Sequence, residues 1–247
     1  MANCQYLTKS PLRQRALYQR LLILSISLPL MVGALFISPL LTLIIAFFTY
    51  PFYRRTGRWL AGAQGEEKVI RLLRRIPDRY TLFNNVQVPT TNGHRELDAI
   101  IVGDNGLVFV IEVKNLRGKI QISNLNKNIW RQTWKGDTRT FSSPVRQLRG
   151  QIFALKDYMR DKNLPCWIEA AVVISHRSAE IDNLLTSYPT LPVDDLLVYL
   201  QSFDSMRPQP RAQAMIEAIA ELVPTAQSVN NKTKVRHTIP QQIIRKQ

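Results

Sequence analysis

The sequence has few of the residues that build disulfide or zinc sites. Its 247 residues include two cysteines, Cys4 and Cys166, which are too few and too far apart for a disulfide framework. Its three histidines, His94, His176 and His237, show no metal-ligand spacing, and no internal repeat is visible. These absences exclude a disulfide-stabilised scaffold and a histidine–cysteine zinc site, and a reducing compartment is the default for such a chain.

Acidic residues are missing from both ends of the chain. Residues 1–61 contain seven Lys or Arg, residues 224–247 contain five, and neither stretch has an Asp or Glu. Most of the net charge of +15 therefore lies in the flanks, and residues 62–223 carry only +3. Strong basicity often marks nucleic-acid binding, but this distribution is weak support for it in the central region. We expect the polar tail over 224–247 to be disordered.

Charged residues are also absent from Leu21 to Phe52. This run exceeds the roughly 20 apolar residues that cross a bilayer, and basic residues lie on both sides of it. Because cationic flanks prefer the cytoplasm, a single tilted span would leave one flank on the wrong side. A hairpin that turns near Gly33, Ser38 or Pro39 keeps both flanks inside, with arms of about 15 residues that barely span.

We therefore predict a membrane segment over residues 21–53, as a hairpin in preference to one span, with residues 1–20 as its basic flank. The domain that follows is expected on the cytoplasmic side. A cleaved signal peptide is disfavoured, because the apolar run is twice the usual length and three arginines separate it from Ala61-Gly62-Ala63. A buried soluble helix is disfavoured because a domain of this size would not bury so long an uncharged run.

From Ala61 the composition changes to that of a soluble α/β domain. Apolar spacing predicts helices at 65–76, from Pro144 through Asp161, and at about 193–203 and 209–223. Strands are predicted at 80–88, 95–103, 107–114, 119–123, near 130–134 and at 168–175. The last two helices are expected to form a C-terminal helical extension over 179–223.

The apolar hairpin at 97–115 carries Asp98 in one arm and Glu112 and Lys114 in the other. A two-residue or a four-residue turn would place the two acids on opposite faces. A three-residue Asp104–Gly106 loop, with glycine in the left-handed conformation, would place Asp98 directly across from Glu112, with Cβ atoms about 5 Å apart.

Two carboxylates that close repel each other unless a cation lies between them. Lys114 falls on the same face, and two acids with a lysine at a sheet face are the groups that metal-assisted phosphodiester hydrolysis needs. The competing interpretation is a solvated face on which Glu112 and Lys114 make an ion pair and Asp98 is incidental. We expect Trp130 and Trp134 to lie in the core rather than to stack on bases.

With these residues in place, residues 61–178 resemble the nuclease-related (NERD) domain, which is grouped with the PD-(D/E)XK, restriction-endonuclease-like superfamily. The resemblance rests on these stretches, in chain order: Gly65-Glu66, Leu97–Val102, Gly106–Asn115 continued by Arg117-Gly118, Trp130 or Trp134, and Ser143–Gln147. Each motif alone is weak, and their order and spacing together are fairly specific.

The resemblance implies an αβββαβ core, a mixed central sheet flanked by helices. It implies that Asp98 and Glu112 bind Mg²⁺ or Mn²⁺, that Lys114 is catalytic, and that Glu66 can complete the acidic cluster. Gln147 would supply a polar group from the following helix. Gln151, one turn on, is equally reachable, and Gln147 is preferred only for its position after Ser143-Pro144. Glu96, two residues before Asp98, departs from the family pattern and is a second candidate for the metal-binding acid of this strand.

The sequence thus favours a membrane-anchored, metal-dependent nuclease that acts on DNA more than on RNA. The alternative is a nuclease-like fold that has become a membrane-tethered nucleic-acid-binding or scaffold module. A third interpretation is that the basic flanks serve only to hold anionic lipid.

Overall fold

The computed structural model describes residues 4–8, 10–122, 128–182, 186–204 and 208–223. It is a mixed α/β molecule with two mixed sheets and five helices. In chain order the first elements are β1 (Cys4–Tyr6), α1 (Pro11–Ile37), α2 (Pro39–Leu73), β2 (Tyr80–Thr90), β3 (Gly93–Gly103), β4 (Val108–Lys114), β5 (Gly118–Ile122), β6 (Ile129–Trp134) and β7 (Asp137–Ser142). They are followed by α3 (Pro144–Asp161), β8 (Ile168–Ile174), β9 (Ala179–Ile181), β10 (Thr190–Pro192), α4 (Leu196–Gln201) and α5 (Arg211–Ala220). The tail predicted to be disordered, 224–247, lies outside the described residues.

The larger sheet has the strand order β1-β2-β3-β4-β8-β10, and its centre is apolar on both faces. Strands β2, β3 and β4 are antiparallel, whereas β8 runs parallel to β4. The C-terminal turns of α2 pack on one face, and α3 and α5 pack on the other. A strand that is buried on both faces reads as a continuous apolar run, which is why 168–175 was predicted correctly as a strand.

The smaller sheet has the order β7-β6-β5-β9 and lies beside the end of β4. The sequence predicted β5 and β6 but missed β7, and it also missed the short strands β1, β9 and β10. These are edge strands. A three-residue edge strand such as β9 or β10 has no apolar alternation from which it could be recognised.

Helix α2 differs most from the prediction. The expected helix at 65–76 is the C-terminal part of one uninterrupted helix that begins at Pro39, and Gly65 does not start it. Glycine lowers helix propensity by about 1 kcal/mol, so a single glycine weakens a long helix without breaking it.

Helices α1 and α2 form an antiparallel hairpin that bends at Ser38, one of the predicted turn positions. Thr42 Oγ1 lies 3.4 Å from the carbonyl oxygen of Met31 near the bend, and Arg20 Nε donates to Thr56 Oγ1 at 2.8 Å further down. The arms are therefore paired along their length.

The apolar part of this hairpin is exposed. Phe36 is 86% and Ile37 79% exposed, and most exposed large hydrophobic side chains of the described chain lie between Leu17 and Tyr53. Within the described residues, one helix, α1, is long and apolar enough to cross a membrane, with a mean hydropathy of 2.2. Signal sequences and core helices can also meet this criterion, although little of α1 is buried.

Candidate active site at the end of the β3–β4 hairpin

The β3–β4 hairpin has the predicted three-residue loop. The amide of Gly103 donates to the Leu107 carbonyl at 2.9 Å, the amide of Gly106 donates to the Gly103 carbonyl at 3.0 Å, and Gly106 has a φ of +76°. The strands pair from Val102 with Val108 through Ala99 with Ile111. This ladder confirms the predicted register, which would pair Asp98 with Glu112 one residue further on, where the amide of Val113 instead donates to Asp98 Oδ2.

Glu112 is fully buried; its Oε2 accepts a hydrogen bond, whereas its Oε1 makes an ion pair and has no hydrogen-bond partner of good geometry among the described residues. The Lys114 ammonium lies 2.5 Å from Oε1, and Gln151 Nε2 donates to Oε2 at 2.6 Å. Lys114 Nζ also donates to Gln147 Oε1 at 3.0 Å. Both glutamines weighed from the sequence therefore take part: Gln147 holds the lysine, and Gln151, which was not preferred, holds the acid.

The surroundings of Lys114 keep it positively charged. Burial lowers the pKa of its ammonium, but attraction to Glu112, and more weakly to Asp98 and Glu66, outweighs burial and raises the pKa above its usual value. A lysine in this state stabilises negative charge and donates hydrogen bonds, and it does not act as a general base at neutral pH.

The ionised carboxylate of Asp98 is in an electrostatically unfavourable environment. Its Oδ2 accepts a hydrogen bond from the amide of Val113 at 2.7 Å, which fixes its carboxylate against β4. Burial, together with repulsion from Glu112 and Glu66, raises its pKa well above the usual value, and the Val113 amide and Lys114 compensate only in part. A nearby cation would relieve this repulsion.

Glu66 reaches the site from α2. The Ser10 hydroxyl donates to its Oε2 at 3.1 Å, and its pKa is raised, chiefly by burial, with repulsion from Glu96 and Glu112 adding to the rise. Gly65 makes this approach close, because a Cβ there would lie 2.5 Å from Ser175 Oγ and 2.8 Å from Asn115 Cβ. The Gly65-Glu66 pair thus lets α2 touch the end of β4 and places an acid beside it.

No group of three or more His, Cys, Asp or Glu side chains within the described ranges lies close enough together to hold a metal ion. Glu66 comes from α2, whereas Glu112 contacts Gln151 on α3. Asp98 and Glu112 remain as adjacent oxygen donors. Mg²⁺ usually takes one or two protein carboxylates together with waters and substrate phosphates, so this pair fits that ion.

Asn85 is a site neighbour that the sequence reasoning missed. It has a left-handed backbone, with φ at 52°, and it interrupts the β2–β3 pairing at the position opposite Asp98. Its side-chain amide donates to Thr8 Oγ1 at 3.0 Å. Asparagine tolerates this conformation better than most residues, so the Asn84-Asn85 pair inside a predicted strand was the available signal.

The acids line an open cleft of about 410 Å³ between α2, β4 and α3. Glu66, Glu96, Asp98, Glu112, Lys114 and Gln147 all face it, together with Arg58 and Arg139. Glu66 and Asp98 also line a second cleft of about 690 Å³ on the side of the N-terminal segment, which includes Ser10 and Asn85. Glu96 is exposed and remains a candidate acid of the site.

The two tryptophans have different environments. Trp130 is fully buried in the core, as predicted. Trp134 is 36% exposed, so its predicted place in the core is wrong. It is the last residue of β6, beyond the part of the small sheet that covers the core.

Comparison with known proteins identifies the domain. The family model of the nuclease-related domain (NERD) matches residues 61–175. An uncharacterised protein of Bacillus anthracis is 33% identical over 120 residues, which are 48% of this chain and 55% of the relative. The match thus spans about half the length of that relative, and no solved structure matches the chain. Residues 61–175, which contain the paired acids and Lys114, belong to the nuclease-related domain family.

Proposed function

We propose that this protein is a membrane-anchored, Mg²⁺-dependent nuclease that hydrolyses phosphodiester bonds of DNA. The observation that carries the proposal is the convergence of Asp98, Glu112 and Lys114 in one cleft, fixed by the loop at Gly106. The order α2, β2, β3, β4, α3, β8, with the small sheet inserted before α3, supports a restriction-endonuclease-like αβββαβ core. DNA is preferred to RNA by analogy with the family.

Each side chain has a role that follows from its position. Asp98 and Glu112 would hold the metal through their carboxylate oxygens. Glu66, at the edge of the cleft, would complete the acidic cluster. The chemistry supplied by a bound Mg²⁺ or Mn²⁺ ion would be polarisation of the scissile phosphate and activation of a water molecule. Lys114, held by Gln147, would stabilise the negative charge that develops on the phosphate.

The hairpin α1–α2 is proposed as the anchor, in contact with lipid through residues 21–53. Its exposed apolar surface is far larger than soluble monomers present. The apolar stretches Leu21–Ile37 and Pro39–Phe52 are about 25 and 20 Å long as helices, against a hydrocarbon core of about 30 Å. The bend at Ser38 would therefore lie inside the bilayer.

Contacts at the base of the hairpin favour a hairpin over a single span. Arg13, before the apolar run, makes a 2.9 Å ion pair with Glu67, after it, and Ser10 bonds Glu66 beside it. Both ends of the run must then lie on the same side of a membrane. The basic flanks favour the cytoplasmic side.

The test is cleavage of labelled DNA by the full chain in detergent, with Mg²⁺ and with EDTA. The full chain is needed because truncation at residue 61 would cut through α2 and remove Ser10. Lys114→Ala should abolish cleavage. Lys119→Ala is the matched control, since it removes a half-exposed lysine of β5 whose ion-pair partner is Asp182.

Metal-dependent cleavage that Lys114→Ala abolishes and Lys119→Ala leaves unchanged supports the proposal. Cleavage that survives Lys114→Ala assigns the activity to another site or a contaminant. If the folded chain binds DNA and never cleaves it with Mg²⁺ or Mn²⁺, the protein is the tethered binding module instead.

A further inference from the structure

The small sheet extends past the core that it covers, beside the acid cleft. On its inner face Trp130 pairs with Phe141 and packs into the core. The next pairs on that face are Gln132 with Arg139 and Trp134 with Asp137. We call Arg117, Gln132, Trp134, Asp137 and Arg139 the overhang.

The overhang holds one arginine in a fixed orientation. Arg139 Nε donates to Gln132 Oε1 at 2.6 Å, and Gln132 Nε2 donates to the Arg117 carbonyl at 2.6 Å. Gln132, in the middle of this chain of bonds, is only 6% exposed, whereas Arg117 and Arg139 are exposed. In the described part of the chain, neither Arg139 nor Arg117 forms an ion pair, although the carboxylate of Asp137 lines the same surface.

The overhang lines a cleft of about 340 Å³ that adjoins the acid cleft. The two clefts share Ala61, Asn115 and Arg139 as lining residues. Arg139 therefore faces both, and a polymer held at Asp98 and Glu112 can continue into the overhang without a break.

Trp134 presents an aromatic surface at this cleft. Its ring lies against Gly118, where a Cβ would be 2.9 Å from Cε3, and Gly118 has a φ of +69°. Lys135 Nζ lies 5.9 Å from the ring centroid, which adds a cation beside the ring. A partly exposed indole with arginines around it is the combination that binds unpaired bases and their phosphates.

We propose that the overhang binds an unpaired nucleic-acid strand that leads from the acid cleft, with a base on Trp134 and phosphates at Arg139 and Arg117. The direction of the strand, away from the acid cleft, rests on the proposed nuclease function. The binding of the strand to the overhang does not. An unpaired strand is favoured over a duplex because stacking on a side chain needs a free base face, which paired and stacked bases do not offer. An acidic peptide would use the arginines but not the ring.

The experiment measures binding without cleavage. The full chain in detergent and EDTA is titrated into a labelled oligothymidylate and into a duplex of the same length, and fluorescence anisotropy is followed. The single strand should bind more tightly. Trp134→Ala should weaken single-strand binding by about 5- to 100-fold, and Trp134→Phe should restore most of it.

Two controls match these changes. Trp167→Ala removes another indole, 69% exposed and distant from the overhang at the start of β8, and should leave binding unchanged. Arg117→Gln should reduce the slope of log K against log salt concentration by about 0.7, because one phosphate contact to a single strand is lost. Arg160→Gln removes the same charge from the exposed surface of α3 and should not change the slope.

Equal binding of duplex and single strand, or equal affinities for Trp134→Ala and Trp167→Ala in folded protein, would overturn the proposal. A preference for polyglutamate that Trp134→Ala leaves intact would also overturn it and assign an acidic peptide. These outcomes are independent of the nuclease test, since a chain that cleaves DNA can lack the overhang function and a chain that never cleaves can have it.

Discussion

Single residues set the electrostatic balance of the candidate site. Glu112 and Glu66 repel the carboxylate of Asp98, and Lys114, which pairs with Glu112, offsets only part of that repulsion. Burial and mutual repulsion raise the pKa of Asp98, which means that its ionised form costs folding free energy. A protein that keeps such a group gives up stability for a site that binds a cation or a substrate.

Asp98→Asn should therefore abolish cleavage and, without metal, raise the free energy of unfolding by about 1 kcal/mol, or roughly 2–4 °C in Tm. The folded-state pKa is raised, so the wild-type carboxyl is protonated as the pH falls and its cost disappears. The stability gain should be largest at neutral and alkaline pH and vanish below about pH 4. Thermal unfolding in EDTA across this range checks it.

Asp157→Asn is the control for this change, because Asp157 is an exposed acid on α3 that pairs with Arg160. It should leave cleavage and stability nearly unchanged. If the Asp98→Asn variant is less stable than wild type at neutral pH, the Asp98 carboxylate stabilises the fold and the prediction is wrong.

At the scale of elements, the contact between α2 and the end of β4 brings Glu66 to the cleft. The contact depends on the missing side chain at Gly65, where a Cβ would clash with Asn115 and Ser175. Asn115 also holds α2 directly, with its amide donating to the Ala61 carbonyl at 2.5 Å. The helix can approach this closely because both sides of the contact are small or hydrogen-bonded.

Gly65→Ala should lower the free energy of unfolding by about 1–3 kcal/mol and reduce cleavage, since the helix must move away from β4 and take Glu66 with it. Gly57→Ala in the same helix is the control. Its nearest neighbour would be Arg20 Nη2 at 3.9 Å, so alanine should fit and stabilise the helix by up to about 1 kcal/mol. If Gly65→Ala is as stable and as active as Gly57→Ala, the close contact does not position the site.

Much of this arrangement was readable in the sequence because it is local. The loop at Asp104–Gly106 fixes the register of the hairpin within a few residues, and from it the placement of Asp98 near Glu112 follows. The contacts that were missed join distant parts of the chain: Ser10 with Glu66, Gln151 with Glu112, and Thr8 with Asn85. No local pattern encodes such contacts, because they depend on how whole elements pack.

At the scale of the whole molecule, both ends of the apolar run meet at the cleft. The proposed membrane hairpin therefore predicts that tags at the N-terminus and at the C-terminus lie on the same side of the membrane. Protease accessibility in inverted and right-side-out vesicles checks this prediction. Both tags should be cut in the inverted vesicles only, whereas tags on opposite sides would contradict the hairpin and the contacts between Arg13 and Glu67.

The unbroken course of α2 has a consequence for which nucleic acids the proposed nuclease could reach. From Tyr53, at the end of the apolar stretch, to Glu66 the helix rises about 20 Å, with no joint along the way. If the protein is anchored as proposed, this rigid helix would hold the acid cleft at a fixed, short distance from the membrane. Its location would then restrict the proposed nuclease to nucleic acid that comes close to the membrane surface.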